Sequence, residues 1–204
     1  MRARLAGALA AVPLMLAACG GGSSSAGAEH VMSDGSTMSG ASMTPAPEGS
    51  MAAHEAGAAG SRRPSETASM ICGSEIRDAV RRVFQLHQGP RGLHAWSHQT
   101  YRCTYPLAHG ELRMSVKDLD AAGPGRAWFD RLRGRLTNAS PIVGLASFGF
   151  PAFETPSGDV VFIKDHKTLW VDASHVAAAD LPQGTNRQDA AYGVAAAVIA
   201  CWTE

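Results

Sequence analysis

Large apolar side chains are very unevenly distributed along this chain. Residues 20–69 contain no Phe, Trp or Tyr, and Gly, Ser, Ala, Pro and Thr make up most of the segment. A segment of this composition cannot bury enough apolar surface to offset the entropy that is lost when its backbone is ordered. We therefore predict that residues 19–69 form a disordered tether and that folding is confined to residues 70–204. That length suits a single domain with its own core.

The start of the chain resembles a bacterial export signal. Two arginines precede an apolar run over residues 5–18, which is shorter than the ~20 apolar residues that a membrane span requires. The run ends in Leu16-Ala17-Ala18-Cys19, which resembles a lipobox. We predict that residues 1–18 are a lipoprotein signal peptide and that Cys19 is diacylated, which would hold the protein on the extracytoplasmic face of the cell membrane. The alternative is an ordinary signal peptide cut after Ala18.

Methionine and histidine are frequent in the predicted tether. Thioether and imidazole groups suit Cu(I), and the composition resembles the linkers of exported copper-handling proteins. The methionines are irregularly spaced and form no repeated unit, so a solvated linker is the favoured interpretation. Weak copper binding is the alternative, and no other cofactor is expected. Its candidate ligands are His30, Met32, Met38, Met43, Met51 and His54.

Residues 70–204 alternate between helical and strand patterns. Apolar residues recur at helical spacing after Ser74, after Pro124 and after Asn186, and at strand spacing in the segments between them. Strands are expected at 100–107, 111–117, 142–146, 150–154, 159–164 and 168–173. Because short turns join the strands, we predict an α+β fold with a mostly antiparallel sheet of about five strands and three helices, in the order α-β-β-α-β-β-β-α.

The cysteines are consistent with an exported domain. With Cys19 acylated, three cysteines remain, and an oxidising compartment would join two of them. We favour Cys72 with Cys103, since this bond would join the start of the first helix to the first strand and contribute roughly 3 kcal/mol by restricting the unfolded chain. Pairing of either residue with Cys201 stays open as the alternative.

Neither nucleic-acid binding nor a catalytic centre is indicated. Basic and acidic residues balance at 18 each, and the folded part has no basic run longer than Arg81-Arg82, so neither nucleic acid nor an acidic polymer is implied as a partner. His94 and His98 have the spacing of helical zinc ligands, but the glycines and proline before them predict a loop. The sequence therefore predicts a protein that is not an enzyme.

Several short motifs of the folded part are similar to those of one bacterial family. They are Cys72 at the start of an amphipathic helix, Tyr101-Arg102-Cys103-Thr104-Tyr105, Ser115-Val116-Lys117, Gly144-Leu145, Lys164-Asp165 and Cys201-Trp202-Thr203. In these the chain resembles a group of exported actinobacterial lipoproteins. The resemblance implies an anchored, exported protein and assigns no catalytic residue. We therefore expect a non-enzymatic module that binds a small ligand or a protein of the cell envelope, with copper binding by the tether as the alternative function.

Overall fold

The structure is a computed structural model, and it describes residues 63–202. Its four helices are α1 (Glu66–Ser69), α2 (Ser74–Val83), α3 (Ala122–Arg135) and α4 (Arg187–Cys201). Its seven strands are β1 (Leu93–Ser97), β2 (Thr100–Pro106), β3 (Glu111–Lys117), β4 (Ser140–Ile142), β5 (Ala152–Glu154), β6 (Asp159–Lys164) and β7 (Lys167–Asp172). The α+β class is confirmed. The strand and helix counts are higher than the predicted five and three.

All seven strands form one antiparallel sheet, in the order β1-β2-β3-β7-β6-β5-β4. Tight turns join most neighbours. His98 and Gln99 between β1 and β2, and Asp165 and His166 between β6 and β7, have the positive φ angles that suit two-residue hairpin turns. Helix α3 carries the chain from β3 to the far edge of the sheet, and the chain then returns strand by strand until β7 pairs with β3.

The sequence did not predict strand β1 or helix α1, and both lie at the margins of the fold. Strand β1 is an edge strand whose first three residues are exposed, so it lacks the apolar alternation that marks a half-buried strand. The glycine- and proline-rich approach to it indicated a loop instead. The predicted strand 142–146 is also wrong in its second half, because Gly144–Ser147 forms a 3₁₀ turn after β4.

Helix α1 lies within the last residues of the predicted tether. The Ser65 backbone N–H donates to Asp118 at 2.6 Å, and the Trp202 indole N–H donates to the carbonyl oxygen of Thr67 at 2.9 Å. Ala68 is fully buried. The folded region therefore begins before residue 70, the predicted boundary.

One face of the sheet carries the main core. Tyr105, Leu112 and Val116 from β2 and β3 pack beneath α2 and α4, together with Val80 and Val194 from those helices. Helix α4 begins as predicted, since the Asn186 side chain accepts a hydrogen bond from the Asp189 backbone N–H at 2.8 Å. This layer excludes water from most of one side of the sheet.

A disulfide joins Cys72 to Cys103, the pair that the sequence favours. It connects the 3₁₀ turn before α2 to the second residue pair of the β1–β2 ladder. The phenol of Tyr105 lies beside it and donates to the carbonyl oxygen of Ile71 at 3.0 Å. Cys201 is half-buried on α4.

The opposite face is covered only in part. Helix α3 packs Phe129 and Leu132 against Phe153, Val161 and Ile163, which belong to β5 and β6. The apolar spacing after Pro124 predicts a buried stripe on α3 that includes Trp128, but this side chain is only half-buried and lies at the edge of the helix toward β3. Beyond that edge, on this same face of the sheet, no helix among residues 63–202 covers β1, β2, β3 or the neighbouring part of β7.

Candidate functional site

The uncovered part of the sheet and the near side of α3 enclose a groove, which we call the basic groove. It consists of two adjoining pockets. The outer pocket, of about 340 Å³, is lined by side chains of β2, β3 and β7. The inner pocket, of about 180 Å³, lies between these strands and α3. Both pockets are lined by Arg102, Ser115 and Trp170, so they form one continuous space.

Strand register brings the lining side chains together in three rows that run across the sheet. Directly paired residues of neighbouring strands share a face and lie about 5 Å apart. The rows are Thr104, Arg113 and Asp172; Arg102, Ser115 and Trp170; and Thr100, Lys117 and Thr168. Because side chains alternate along a strand, the same segments place Tyr105, Leu112 and Val116 in the core on the other face.

Three cations that line the inner pocket, and Arg131 beside them on α3, lack an acidic partner. Within residues 63–202, none of the basic groups of Arg102, Lys117, Arg131 and Arg135 lies within ion-pair distance of a carboxylate. Their mutual repulsion is visible at Lys117, where burial, with the charges of Arg102 and Arg131 as further causes, lowers the pKa of the ammonium group below its usual 10.5. The groove is therefore a region of concentrated positive potential on a chain with no net charge.

Trp128 is the centre around which three of these cations gather. The ammonium nitrogen of Lys117 lies 4.9 Å from the centre of an indole ring of Trp128, and the guanidinium carbons of Arg135 and Arg131 lie at 5.2 and 5.8 Å. Attraction to the face of the ring partly offsets repulsion between the cations. The indole thus keeps the basic side chains close together at the mouth of the inner pocket.

Trp170 forms a fixed wall that both pockets share. Its indole N–H donates to the Asp159 carboxylate at 2.8 Å, and that carboxylate accepts further hydrogen bonds from the hydroxyls of Thr155 and Ser157 at 2.6 and 2.9 Å. Asp159 is almost fully buried. Because the polar edge of the indole is held in this way, the surface that remains for a ligand is carbon.

Thr168 contributes a buried hydroxyl to the inner pocket. The residue is 1% exposed, and its Oγ1 atom has no hydrogen-bond partner among the described residues. A buried hydroxyl without a partner costs roughly 1–3 kcal/mol. Natural structures rarely leave such a group unpaired.

The outer end of the groove has mixed charge. Arg113 forms an ion pair with Glu111 and lies 2.9 Å from Nε2 of His175. Its cross-strand neighbour Asp172 accepts hydrogen bonds from Ser174. Charges are balanced at this end, whereas they are not balanced at the inner end.

The groove was not predicted, because no single segment of the sequence contains it. The alternate polar positions of β2 and β3 indicate which face of each strand is exposed, but they do not indicate that this face binds a ligand. Of the predicted site residues, the structure describes Cys72 and Cys103, which form the disulfide beneath the other face of the sheet. Cys19 and the six candidate copper ligands lie outside the described residues.

The described region holds neither a metal-binding cluster nor a membrane span. No three His, Cys, Asp or Glu residues between positions 63 and 202 are grouped so that they could hold a metal ion. In the same region no helix combines the length and the apolar character that crossing a bilayer requires. His94 lies on β1 and His98 in the following turn, so their sequence spacing does not produce a helical zinc site.

Comparison of the chain with protein-family models, with curated proteins and with solved structures gave no match. The arguments for function therefore come from the residues of this chain.

Proposed function

We propose that this protein is a lipid-anchored extracytoplasmic binding module that holds an anionic ligand in the basic groove. The export and anchoring part of the proposal is supported by the apolar leader, by the lipobox-like Leu16-Ala17-Ala18-Cys19 and by the resemblance to actinobacterial lipoproteins. The binding part is supported by the groove itself.

The observation that carries the binding proposal is the unbalanced charge beside α3. Burial, with the charges of Arg102 and Arg131 as further causes, lowers the pKa of Lys117, so the free protein disfavours the charged form of this ammonium group. Charge-assisted hydrogen bonds from guanidinium and ammonium groups to an anion are among the strongest that a protein forms. An anion in the inner pocket would offset the repulsion and accept hydrogen bonds from the N–H groups that Arg102 and Lys117 do not already donate to the Ser97 hydroxyl and the His98 carbonyl.

Binding is favoured over catalysis by the kinds of side chain present. The groove presents guanidinium, ammonium, hydroxyl and indole groups, which hold and orient a ligand. Within residues 63–202, no hydroxyl that lines the groove is hydrogen-bonded to a histidine ring or to a carboxylate, and the Ser174 hydroxyl, which donates to Asp172, lines neither pocket. We accordingly place the protein among binding modules of the cell envelope.

Calorimetric titration of the full chain with pyrophosphate, citrate and digalacturonate tests this proposal. We expect at least one of these anions to bind with an affinity that falls as ionic strength rises, because the attraction is electrostatic. The double variant Arg102→Gln/Lys117→Gln should lose about tenfold or more in affinity, equivalent to about 1.4 kcal/mol.

Arg133→Gln is the control, since Arg133 lies exposed on α3, beside the groove, and lines neither pocket. It should bind as the wild type does. The proposal is wrong if none of the three anions binds, or if the double variant and the control bind equally well.

We propose copper binding by the tether as a second function, on the basis of its methionine and histidine content alone. Competition for Cu(I) against a chromophoric chelator should then reveal a site that disappears when Met32, Met38, Met43 and Met51 are replaced by serine. Absence of competition by the wild-type chain would eliminate this function and leave the groove proposal unaffected.

A further inference from the structure

We infer that the ligand of the basic groove is an acidic saccharide, with its acidic group in the inner pocket and a sugar ring against Trp170 in the outer pocket. This inference rests on the proposed function and names the ligand class. It follows from what the two pockets offer in addition to positive charge.

The outer pocket has the features that recognise a ring with many hydroxyl groups. Trp170 supplies a fixed aromatic surface whose N–H is already used by Asp159, so it can stack against the C–H face of a sugar but cannot act as a hydrogen-bond donor to it. Thr104, Ser115 and Asp172 surround that surface. Hydroxyl and carboxylate groups form hydrogen bonds with sugar hydroxyls. An ionised carboxylate has no proton to donate to a simple inorganic anion, and it repels that anion.

The inner pocket has the features that recognise an acidic group. Lys117 and Arg135 line it beside the Trp128 ring, and Arg102 reaches it from β2. The buried hydroxyl of Thr168 adds a donor that no described residue uses. A carboxylate or phosphate has several acceptor lone pairs and can take hydrogen bonds from all of these donors at once.

The length of the groove fits more than one sugar ring. The rows of Thr104, Arg102 and Thr100 follow one another at alternate positions of β2, so the outermost and innermost rows are about 13 Å apart along the strand. A single small anion would occupy only one end of this length. A short saccharide with an acidic end can extend from the row of Asp172, across Trp170, to the row of Thr168.

A nucleotide also combines a flat ring with phosphate, but the outer pocket favours the saccharide. Its lining contains one indole and otherwise polar or charged strand side chains, apart from Met114. A nucleobase gains the most binding free energy when aromatic or apolar side chains contact both of its faces. A sugar gains binding free energy when one of its faces stacks on an aromatic ring and its hydroxyls bond to polar groups around its edge.

The test is calorimetric titration of the full chain with four matched probes. These are digalacturonate, its uncharged methyl diester, citrate and uridine monophosphate. We expect digalacturonate to bind roughly tenfold or more tightly than any of the others, since it alone combines an acid with a pyranose ring whose C–H face can stack on the indole.

Two variants assign the two halves of the ligand to the two pockets. Trp170→Leu should weaken digalacturonate binding about tenfold and leave citrate binding within twofold, because only the sugar stacks on the indole. Thr168→Val, which preserves shape, should weaken both acids by about fivefold, in line with the loss of one charge-assisted hydrogen bond. Arg133→Gln serves again as the control, and thermal unfolding verifies that each variant is folded.

The outcomes separate this inference from the proposed function. If citrate or uridine monophosphate binds as tightly as digalacturonate, or if Trp170→Leu affects all acids equally, the saccharide inference is wrong while anion binding stands. Binding of the diester as tight as that of the acid would also overturn the inference. If no acid binds, both the inference and the proposed function fail.

Discussion

At the scale of single residues, the side chains proposed to bind a ligand reduce the stability of the free protein. Thr168 buries a hydroxyl without a described partner, and Lys117 is placed among other cations. A sequence selected for stability alone would fill the position of Thr168 with valine, which has the same shape and no polar atom. The cost at these positions is the physical reason to expect a ligand there.

We predict that Thr168→Val stabilises the ligand-free protein. Removing an unpaired buried hydroxyl should raise the free energy of unfolding by roughly 1–2 kcal/mol, because the penalty of burying that group disappears. Chemical denaturation of wild type and variant without ligand measures the change. Destabilisation by Thr168→Val would show that the hydroxyl has a partner in the free protein, and the argument from its isolation would be lost.

Tyr105 gives a second prediction at the same scale. Burial raises the pKa of its phenol to about 12, whereas the unfolded chain releases this proton near the ordinary value of 10.0. The unfolded state therefore binds fewer protons between these pKa values, and stability must fall as pH rises through them.

In Tyr105→Phe this part of the pH dependence should disappear, and the smaller contribution of Tyr101, whose pKa burial also raises, should remain. At neutral pH the free energy of unfolding of the variant should be about 1 kcal/mol lower than that of the wild type, because the hydrogen bond to the carbonyl of Ile71 is absent. Urea unfolding at neutral and alkaline pH measures both effects. An unchanged alkaline slope in the variant would contradict the assignment.

At the scale of elements, the sequence predicts what packs into the core and not what surrounds the groove. Helix α4 and the hairpin of β2 and β3 were predicted because regular apolar spacing and a capping Asn186 mark them. Strand β1 was not, because most of its side chains are exposed and give no periodic signal. Trp128 was assigned to the core from its apolar character, whereas in the fold its ring holds cations.

The groove illustrates the same limit. Arg102 and Trp170 are distant in sequence and become neighbours only when β7 returns from the far edge of the sheet to pair with β3. Pairing of this kind is decided by the whole chain. The net charge of the chain is zero, so composition alone does not indicate the local excess of cations or an anionic partner.

The close packing of β1 against the disulfide predicts the effect of a change at Gly92. A Cβ atom there would lie 2.7 Å from the sulfur of Cys72 and 2.8 Å from that of Cys103, which is too close for carbon and sulfur. Gly92→Ala should therefore destabilise the domain by about 1–3 kcal/mol, as overpacking of a rigid site does.

Gly134→Ala is the matched control for this prediction. Gly134 lies in the exposed interior of α3 with nothing within 4 Å of an added Cβ, so alanine there should stabilise by roughly 0.5–1 kcal/mol. Thermal unfolding of the two variants should show shifts of opposite sign. A neutral effect of Gly92→Ala would mean that the disulfide and β1 are less tightly packed than the structure shows.

At the scale of the whole molecule, the proposed anchor fixes where the groove acts. Cys19 and most of the predicted tether lie outside the described residues, so anchoring rests on the sequence. Diacylation at Cys19 should direct the protein to the membrane fraction of its host, because two acyl chains bind a bilayer stably. Cys19→Ala should shift the protein away from that fraction and abolish the acyl mass found at this residue by mass spectrometry. A wild-type protein without acyl mass would refute the anchor and leave the groove proposal intact.

The pKa of Lys117 with and without a bound anion tests the central claim most directly. Nitrogen NMR of the lysine ammonium groups, titrated through alkaline pH, reports this value, and Lys117→Gln assigns the signal. We predict that citrate or digalacturonate raises the pKa, because a negative charge beside Lys117 offsets the repulsion from Arg102 and Arg131 and the cost of burial. Affinity should accordingly fall as pH rises through the pKa of the free protein. A Lys117 pKa that stays the same at saturating concentrations of both acids would contradict the account.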